Sequence, residues 1–204
     1  MKIIAIGRNY INHAKELNNP VPEKPVFFTK PDTALLRNNQ PFYYPDFSKN
    51  IHYEVELVVK ICKVGKHIEK RFANRYYNEI GIGIDFTARD LQDDCKKKGL
   101  PWEIAKAFDF SAPVGNTFLP VTQFENVQDI NFSLEINNQI VQIGNSKNMI
   151  FSIDEIIEYV SKFMTLKIGD LIFTGTPEGV GPVKIEDRLI SRIENQILLD
   201  FEIK

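Results

Sequence analysis

The chain has few of the residues that hold zinc or form disulfide bridges, with two cysteines and three histidines among 204 residues. Cys62 and Cys95 lie far apart in the sequence and match no metal-binding or redox spacing. Free thiols are typical of a reducing compartment. We therefore expect both cysteines to be free and the protein to be cytoplasmic.

Long apolar runs and a surplus of positive charge are also missing. No apolar run approaches the ~18 residues of a membrane span. The apolar start, residues 1–7, is too short for a signal peptide and is expected to form a strand. The formal net charge is −2, and the one basic run, residues 96–98, suits the C-terminal end of a helix. We expect neither membrane insertion nor nucleic-acid binding.

The apolar sequence that is present suffices for one folded domain. Hydrophobic residues make up 43% of the chain, and a chain of this length can bury a sizeable core. The patterns predict a β-rich α+β fold with helices in residues 10–17, 87–99 and 152–164. Two capping boxes are expected, Thr87 with Asp90 and Ser152 with Glu155, and Gly99 is expected to end the middle helix. No repeat or linker divides residues 1–204.

Three acidic residues stand out in two apolar, β-branched segments. Glu54 and Glu56 lie two apart in residues 51–59, and Asp85 ends residues 80–85. Because side chains alternate in a strand, both glutamates face the same way, opposite to Tyr53 and Val55. Burying neighbouring acids is costly unless a positive charge lies between them, and without a cation their repulsion should raise at least one pKa.

Two structures are compatible with these acids. An all-oxygen site with no cysteine or histidine cluster suits a hard divalent cation, magnesium or manganese before zinc. Equally, Glu-x-Glu occurs in half-exposed strands, where the acids simply face solvent. Spacing alone leaves both interpretations open.

Other segments carry residues capable of chemistry. His13 and Glu16 lie three apart on a predicted helix, so that the carboxylate can orient the imidazole as a base, although such pairs are often solvated surface pairs. Lys106 lies in an aromatic and apolar neighbourhood, where a lysine can also simply extend to solvent. The glycine-rich residues 174–181 lack the lysine of a phosphate-binding loop, but their hydroxyls and amides can hold a small carboxylate, or form only a wide turn.

Read together, these segments resemble the fumarylacetoacetate hydrolase family, in particular its short acylpyruvase and oxaloacetate decarboxylase branch. Seven segments run in the family order over nearly the whole chain: Gly7-Arg8-Asn9-Tyr10 with His13 and Glu16, residues 28–31, 52–57, 85–92, 98–106, 164–166 and 169–181. The length and order of these segments carry the resemblance, since a lone Glu-x-Glu has little specificity.

The resemblance implies a β-roll with short peripheral helices, an N-terminal lid and a single catalytic domain over residues 1–204. It implies Mg2+ or Mn2+ held by Glu54, Glu56 and Asp85, and a homodimer. His13 and Glu16 would be catalytic residues on the lid, and Lys106 would be catalytic and face the substrate. The matching positions for substrate binding are Arg8, Gln92 and Thr176.

Family members act on small 2-oxo acids, and the chemistry of the predicted site explains why. The carboxylate and 2-oxo oxygens of a pyruvoyl group can chelate one cation, which then acts as a Lewis acid for the enolate formed when a bond at C3 breaks. Acylpyruvate hydrolysis, oxaloacetate decarboxylation and keto–enol tautomerisation share this enolate. The alternatives are an isomerase or decarboxylase of a hydroxy-dienoate from aromatic catabolism, and a weakly catalytic binding protein that keeps the fold.

Overall fold

The computed structural model describes residues 1–204 as many short strands and a few short helices. The helices are α1 Ile11–Glu16, α2 Lys70–Ala73, α3 Arg89–Lys98, α4 Glu103–Lys106 and α5 Ile153–Phe163. The strands are β1 Ile3–Gly7, β2 Val26–Lys30, β3 Leu35–Leu36, β4 Ile51–Tyr53, β5 Val55–Ile61, β6 Tyr77–Ile84, β7 Thr87–Ala88, β8 Ala112–Pro113, β9 Leu119–Pro120, β10 Asn131–Ile136, β11 Gln139–Asn145, β12 Leu171–Phe173, β13 Gly181–Pro182, β14 Arg188–Ile193 and β15 Gln196–Glu202. The predicted β-rich class is confirmed. None of the helices has the length and apolarity of a membrane span.

A six-stranded sheet in the order β2-β1-β12-β5-β6-β9 carries the acidic strand near its middle. Only β1 and β12 are parallel in this sheet, with Ile3 opposite Leu171. A four-stranded antiparallel sheet, β11-β10-β14-β15, and two smaller sheets, β13-β4-β7 and β3-β8, complete the fold. The chain therefore places its late strand β12 between its first strand and β5.

Strand β5 is covered on both faces. Val55 and Leu57 belong to a core cluster of 35 buried residues, whereas Val58 belongs to a cluster of eight on the opposite face. This agrees with the predicted alternation, since the glutamates share the face of Val58. Two covered faces also explain why the strand reads as an almost continuous apolar run.

The helix ends follow the sequence signals in two cases of three. Ser152 and Glu155 form the predicted capping box of α5. Gly99 ends α3 in the left-handed conformation, with φ 64°. The capping box predicted at Thr87 is wrong, because α3 begins at Arg89 without a side-chain cap and the Thr87 hydroxyl donates to the Asp85 carbonyl instead. Thr87 lies in β7, which turns directly into the helix.

The pairing of β7 with β4 positions the start of α3. Ala88 lies opposite Ile51, and the Arg89 amide donates a 2.8 Å hydrogen bond to the Asn50 carbonyl. Because β4 leads directly to Glu54, this short sheet delivers a guanidinium to the acidic strand. The small sheets thus assemble the site that the central sheet supports.

Candidate metal centre and active site

Three carboxylates meet where β5 and β6 pair. Glu54 fills the one-residue gap between β4 and β5, Glu56 lies in β5, and Asp85 directly follows β6. The Asp85 amide donates a 2.8 Å hydrogen bond to the Glu54 carbonyl, which keeps the two residues side by side. One carboxylate oxygen from each acid lies within 4.8 Å of the others.

The acids are buried, so the interpretation of a solvent-facing strand is wrong. Glu54 is 5% exposed, and Glu56 and Asp85 are each 1% exposed. Carboxylates are almost never buried to this extent without a positive partner or a metal ion. The protein must therefore supply cations at this place.

Three basic side chains surround the acids. The Lys106 ammonium lies 2.7 Å from both Glu54 Oε2 and Asp85 Oδ2. The Arg89 guanidinium donates a 2.6 Å hydrogen bond to Glu54 Oε1, and the Lys30 ammonium lies 2.6 Å from Asp85 Oδ1. All three cations are themselves buried. The three positive charges thus balance the three negative charges of the acids.

The charges of the cluster shift the pKa values of Glu54 and Glu56 in opposite directions. Burial alone would raise the pKa of Glu54, but Lys106 and Arg89 hold it below its ordinary value. Burial, Asp85 and Glu54 together raise the pKa of Glu56 well above its ordinary value, and a 2.6 Å hydrogen bond from the Gly175 amide and the charge of Lys106 oppose this. Glu56 is therefore the acid whose pKa is raised by the repulsion that the sequence predicts.

The donor set fits a hard divalent cation. All three acids present oxygen, and Asp85 Oδ1 is buried with the Lys30 ammonium, 2.6 Å away, as its one salt-bridge partner. Oxygen ligands are those that magnesium and manganese prefer. The cluster can bind a metal ion, and the assignment of the three acids as its ligands stays a prediction.

His13 and Glu16 lie beside this cluster on α1. His13 Nδ1 is 3.4 Å from Glu16 Oε2, and Glu16 also accepts hydrogen bonds of 3.1 and 3.2 Å from the Gly179 amide. His13 is only 5% exposed, unlike a solvated surface pair. Burial lowers the pKa of His13, although Glu54 opposes this. A neutral imidazole at neutral pH is able to accept a proton.

One cleft contains nearly all the residues that the sequence singles out. Its lining includes the three acids, His13 and Lys106, and also Arg8, Gln92 and Thr176. Gln92 is held by Arg89, which donates a 2.6 Å hydrogen bond to its Oε1. Lys106 is buried against aromatic residues, with its ammonium 5.2 Å from the Phe28 ring centre, so it does not extend to solvent.

The glycine-rich loop at residues 174–181 contributes differently from the expectation. Two of its amides, those of Gly175 and Gly179, are bonded to the protein's own Glu56 and Glu16. The Thr176 hydroxyl accepts a 3.0 Å hydrogen bond from Gln142 and still lines the cleft. The loop therefore positions carboxylates of the chain, which leaves Thr176 as its contact with the cleft.

Sequence reasoning missed four residues of the site: Lys30, Arg89, Lys96 and Trp102, of which all but Lys30 line the cleft. Each lies inside or next to a segment that carried the family resemblance. The signal that could have found the first two is charge balance, since three buried acids require partners.

Comparison with known proteins assigns this chain and its fold to one class of enzyme. The model of the fumarylacetoacetate (FAA) hydrolase C-terminal domain matches residues 2–198. The chain is 43% identical over 202 residues to mitochondrial oxaloacetate tautomerase FAHD1 of Mus musculus, covering 99% of the chain and 91% of the relative. It is 43% identical over 184 residues to mitochondrial oxaloacetate decarboxylase of Dictyostelium discoideum, covering 90% and 84%.

A solved structure gives the same result. Fumarylpyruvate hydrolase from Pseudomonas aeruginosa, in complex with Mn2+ and pyruvate, superposes with a TM-score of 0.93 at 37% identity, covering all of this chain and 89% of that one. The chain belongs to the fumarylacetoacetate hydrolase family. The family and the enzyme class predicted from the sequence are confirmed.

Lys30 supplies the first test of the site. Its ammonium contacts Asp85, the Ser111 carbonyl and hydroxyl at 3.1 and 3.0 Å, and the Lys106 carbonyl. Lys30→Met keeps the length of the side chain but leaves these groups without a partner, so we expect a loss of about 3–5 kcal/mol in the free energy of unfolding. Urea denaturation of the variant and the wild type measures this difference in the free energy of unfolding.

Lys60→Met is the matched control for Lys30→Met. Lys60 pairs with Glu79 on the neighbouring strand, but the two side chains are 42% and 34% exposed. Such pairs contribute about 0–1 kcal/mol. Similar losses in the two variants would show that Lys30 does not hold the acidic site together.

Proposed function

We propose that the protein is a divalent-metal-dependent hydrolase or lyase that acts on small 2-oxo acids through their enolate form, by acylpyruvate hydrolysis, oxaloacetate decarboxylation or keto–enol tautomerisation. The observation that carries this proposal is the buried triad Glu54, Glu56 and Asp85 in one cleft with His13. The names of three relatives support this proposal: oxaloacetate tautomerase, oxaloacetate decarboxylase and fumarylpyruvate hydrolase. Mg2+ or Mn2+ is the proposed ion, and the hydrolase that holds Mn2+ supports this choice.

The roles of the chain's own residues follow from their places. When bound by the triad, the ion would supply the positive charge that favours the enolate form of a 2-oxo acid. His13, kept neutral by burial and oriented by Glu16, would accept a proton from water or from the substrate. Lys106 would stabilise negative charge that develops beside the acids.

Three further residues would bind the substrate. Arg8, Gln92 and Thr176 line the cleft around the proposed catalytic residues. Arg8 offers charge to a carboxylate, whereas Gln92 and Thr176 offer neutral hydrogen bonds. Gln92 is preorganised by Arg89 and Thr176 by Gln142, which reduces the entropy lost when a substrate binds.

The direct test of this proposal is a side-by-side substrate screen. Acetylpyruvate hydrolysis, oxaloacetate decarboxylation and enol–keto exchange, and isomerisation of a hydroxy-dienoate would be measured with Mg2+, with Mn2+ and with excess chelator. We expect turnover of a 2-oxo acid that chelation abolishes and either ion restores. Full turnover in chelator would remove the metal from the proposal, and inactivity on every substrate would favour the binding-protein alternative.

His13→Ala separates hydrolysis from decarboxylation. Losing a general base typically costs about 10²–10⁴ in rate, and only hydrolysis requires an activated water. We expect acetylpyruvate hydrolysis to fall by that factor and oxaloacetate decarboxylation to fall less, as measured by kcat/KM. Equal losses in both reactions would show that His13 acts through substrate binding or closure of the N-terminal lid.

Replacing Glu56 tests whether the acids form a metal site. Glu56→Gln removes the charge that its neighbours repel and keeps an oxygen to accept from the Gly175 amide. In chelator, this variant should therefore melt no lower than the wild type. Glu54→Gln should melt lower, because it breaks contacts with Lys106 and Arg89.

Magnesium should reverse the order of the Glu56→Gln and wild-type melting temperatures. At about 100 times the dissociation constant, the ion stabilises an intact site by about 2.7 kcal/mol, and the variant site gains far less. Glu79→Gln is the control, since Glu79 lies outside the cleft on the adjacent strand. Identical melting of all proteins with and without magnesium would show that the triad holds no ion.

The assembly and location of the protein are also proposals. We propose that residues 1–204 act as a single catalytic domain in a twofold homodimer, because cyclic dimers are the commonest oligomers and apolar side chains such as Ile140 and Ile143 are exposed. Sedimentation should give a mass close to twice the 23.5 kDa of one chain, and a monomer at micromolar concentration would contradict it. The cytoplasmic location expected from the free cysteines remains a prediction.

A further inference from the structure

One buried side chain joins the four-stranded sheet to the candidate active site. Gln142 lies on β11, opposite Leu134 of β10, and is buried. Its side chain crosses to β5, where the Val55 amide, between two of the acids, donates a 3.0 Å hydrogen bond to Gln142 Oε1. Its Nε2 group reaches the glycine-rich loop at Thr176 and Pro177. Gln142 therefore contacts two of the segments that carry the site.

The contacts of Gln142 leave only one orientation for its amide group. A backbone amide can only donate, so the atom that faces Val55 must be the oxygen. The carbonyls of Pro177 and Glu178, 3.0 and 3.5 Å away, can only accept, so the atom facing them must be the nitrogen. This nitrogen also lies 3.0 Å from Thr176 Oγ1. An amide nitrogen does not accept, so the Thr176 hydroxyl is the acceptor in this contact.

The proton of the Thr176 hydroxyl is consequently free for another acceptor. The two other buried threonines donate their protons to backbone carbonyls, Thr87 to Asp85 and Thr174 to Leu57. Thr176 is buried like them but donates to no group of the chain, and it lines the cleft. A buried hydroxyl proton without an acceptor costs free energy, which an acceptor on a ligand would offset.

The backbone on both sides of Thr176 is fixed as well. The Gly175 amide before it and the Gly179 amide after it donate to two carboxylates of the site. Both glycines have positive φ angles, 102° and 94°, which favour glycine over other residues. With the backbone held and one lone pair of Oγ1 occupied by Gln142, the hydroxyl has little freedom to turn. Its direction is therefore set before a ligand arrives.

We propose that Gln142 is a positioning residue that fixes the Thr176 hydroxyl as a hydrogen-bond donor into the cleft. This inference rests on the proposed function and deepens it, because it specifies which ligand group can lie beside Thr176. That group must be an acceptor, such as an ionised carboxylate or a 2-oxo oxygen. An amino group in the same place would set two donors against each other, so the cleft discriminates against it.

Pyruvate is a suitable probe, since a related hydrolase is solved with Mn2+ and pyruvate. Calorimetry in the presence of Mg2+ would measure its dissociation constant for the wild type, Thr176→Ser and Thr176→Val. Thr176→Ser keeps the hydroxyl and should bind pyruvate about as tightly as the wild type. Thr176→Val should bind it at least about 10-fold more weakly, as the loss of one hydrogen bond to a charged group predicts.

A double-mutant cycle tests whether Gln142 acts through this hydroxyl. Gln142→Glu keeps an oxygen to accept from the Val55 amide, but its second oxygen, once ionised, would take the Thr176 proton away from the ligand. The same substitution in the Thr176→Val protein measures every other effect of the new charge. We expect pyruvate binding to weaken at least about 10-fold more in the threonine background, increasingly as the pH rises and the introduced carboxyl group ionises.

The control for the added charge is Gln139→Glu. Gln139 lies on the same strand as Gln142 but is exposed and lies outside the cleft. This variant should therefore bind pyruvate as the wild type does. Equal losses from Gln142→Glu in both backgrounds at every pH would show that Gln142 acts through the loop or the strand, which overturns the positioning role.

Neutron diffraction shows the direction of the hydroxyl without any substitution. In crystals of the deuterated wild type with Mg2+ and pyruvate, the Thr176 deuteron should point to a pyruvate oxygen, and a Gln142 deuteron should point to Thr176 Oγ1. A Thr176 deuteron directed at another group of the protein would overturn the proposal. If the deuteron points into the cleft but the protein turns over no 2-oxo acid, the positioning role stands and the proposed function fails.

Discussion

The burial of three carboxylates beside three cations is the constraint on which the rest of the structure depends. Moving any one of these charges out of water alone would cost several kcal/mol, so the cluster is tolerable only when all its members arrive together. Glu54 and Glu56 come from the junction of β4 and β5, Lys30 comes from β2, and Arg89 and Lys106 come from the helices that follow Asp85. The small sheets and short helices of this fold bring these pieces to one place.

Much of the site could be predicted because its signals are local. The two-residue period of a strand places Glu54 and Glu56 on one face, and the capping box at Ser152 needs only neighbouring residues. His13 and Glu16 meet because residues three apart share a face of a helix. The order of the segments then indicated the family, which individual residues could not.

The residues that escaped prediction depend on contacts distant in sequence. Nothing near Lys30 shows that its ammonium will be enclosed by Phe86, Lys106 and Ser111. Lys96 shares a helix face with Arg89 and Gln92, but only the fold shows that this face lines the cleft beside Trp102. Thr87 looked like a helix cap because local composition does not show that a short strand, β7, takes this residue into a sheet.

The parallel pairing of β1 with β12 has a consequence for how the chain acquires its structure. Ile3 can pair only after Leu171 has been synthesised, so the central sheet cannot form completely until about five-sixths of these 204 residues have been made. Contacts so distant in sequence slow folding, because the loop between them must close before they stabilise anything. Until then β5 lacks its neighbour β12, and Glu56 lacks the Gly175 amide that donates a hydrogen bond to it. The carboxylate that its neighbours repel most therefore gains its backbone hydrogen bond only when the last sixth of the chain is made.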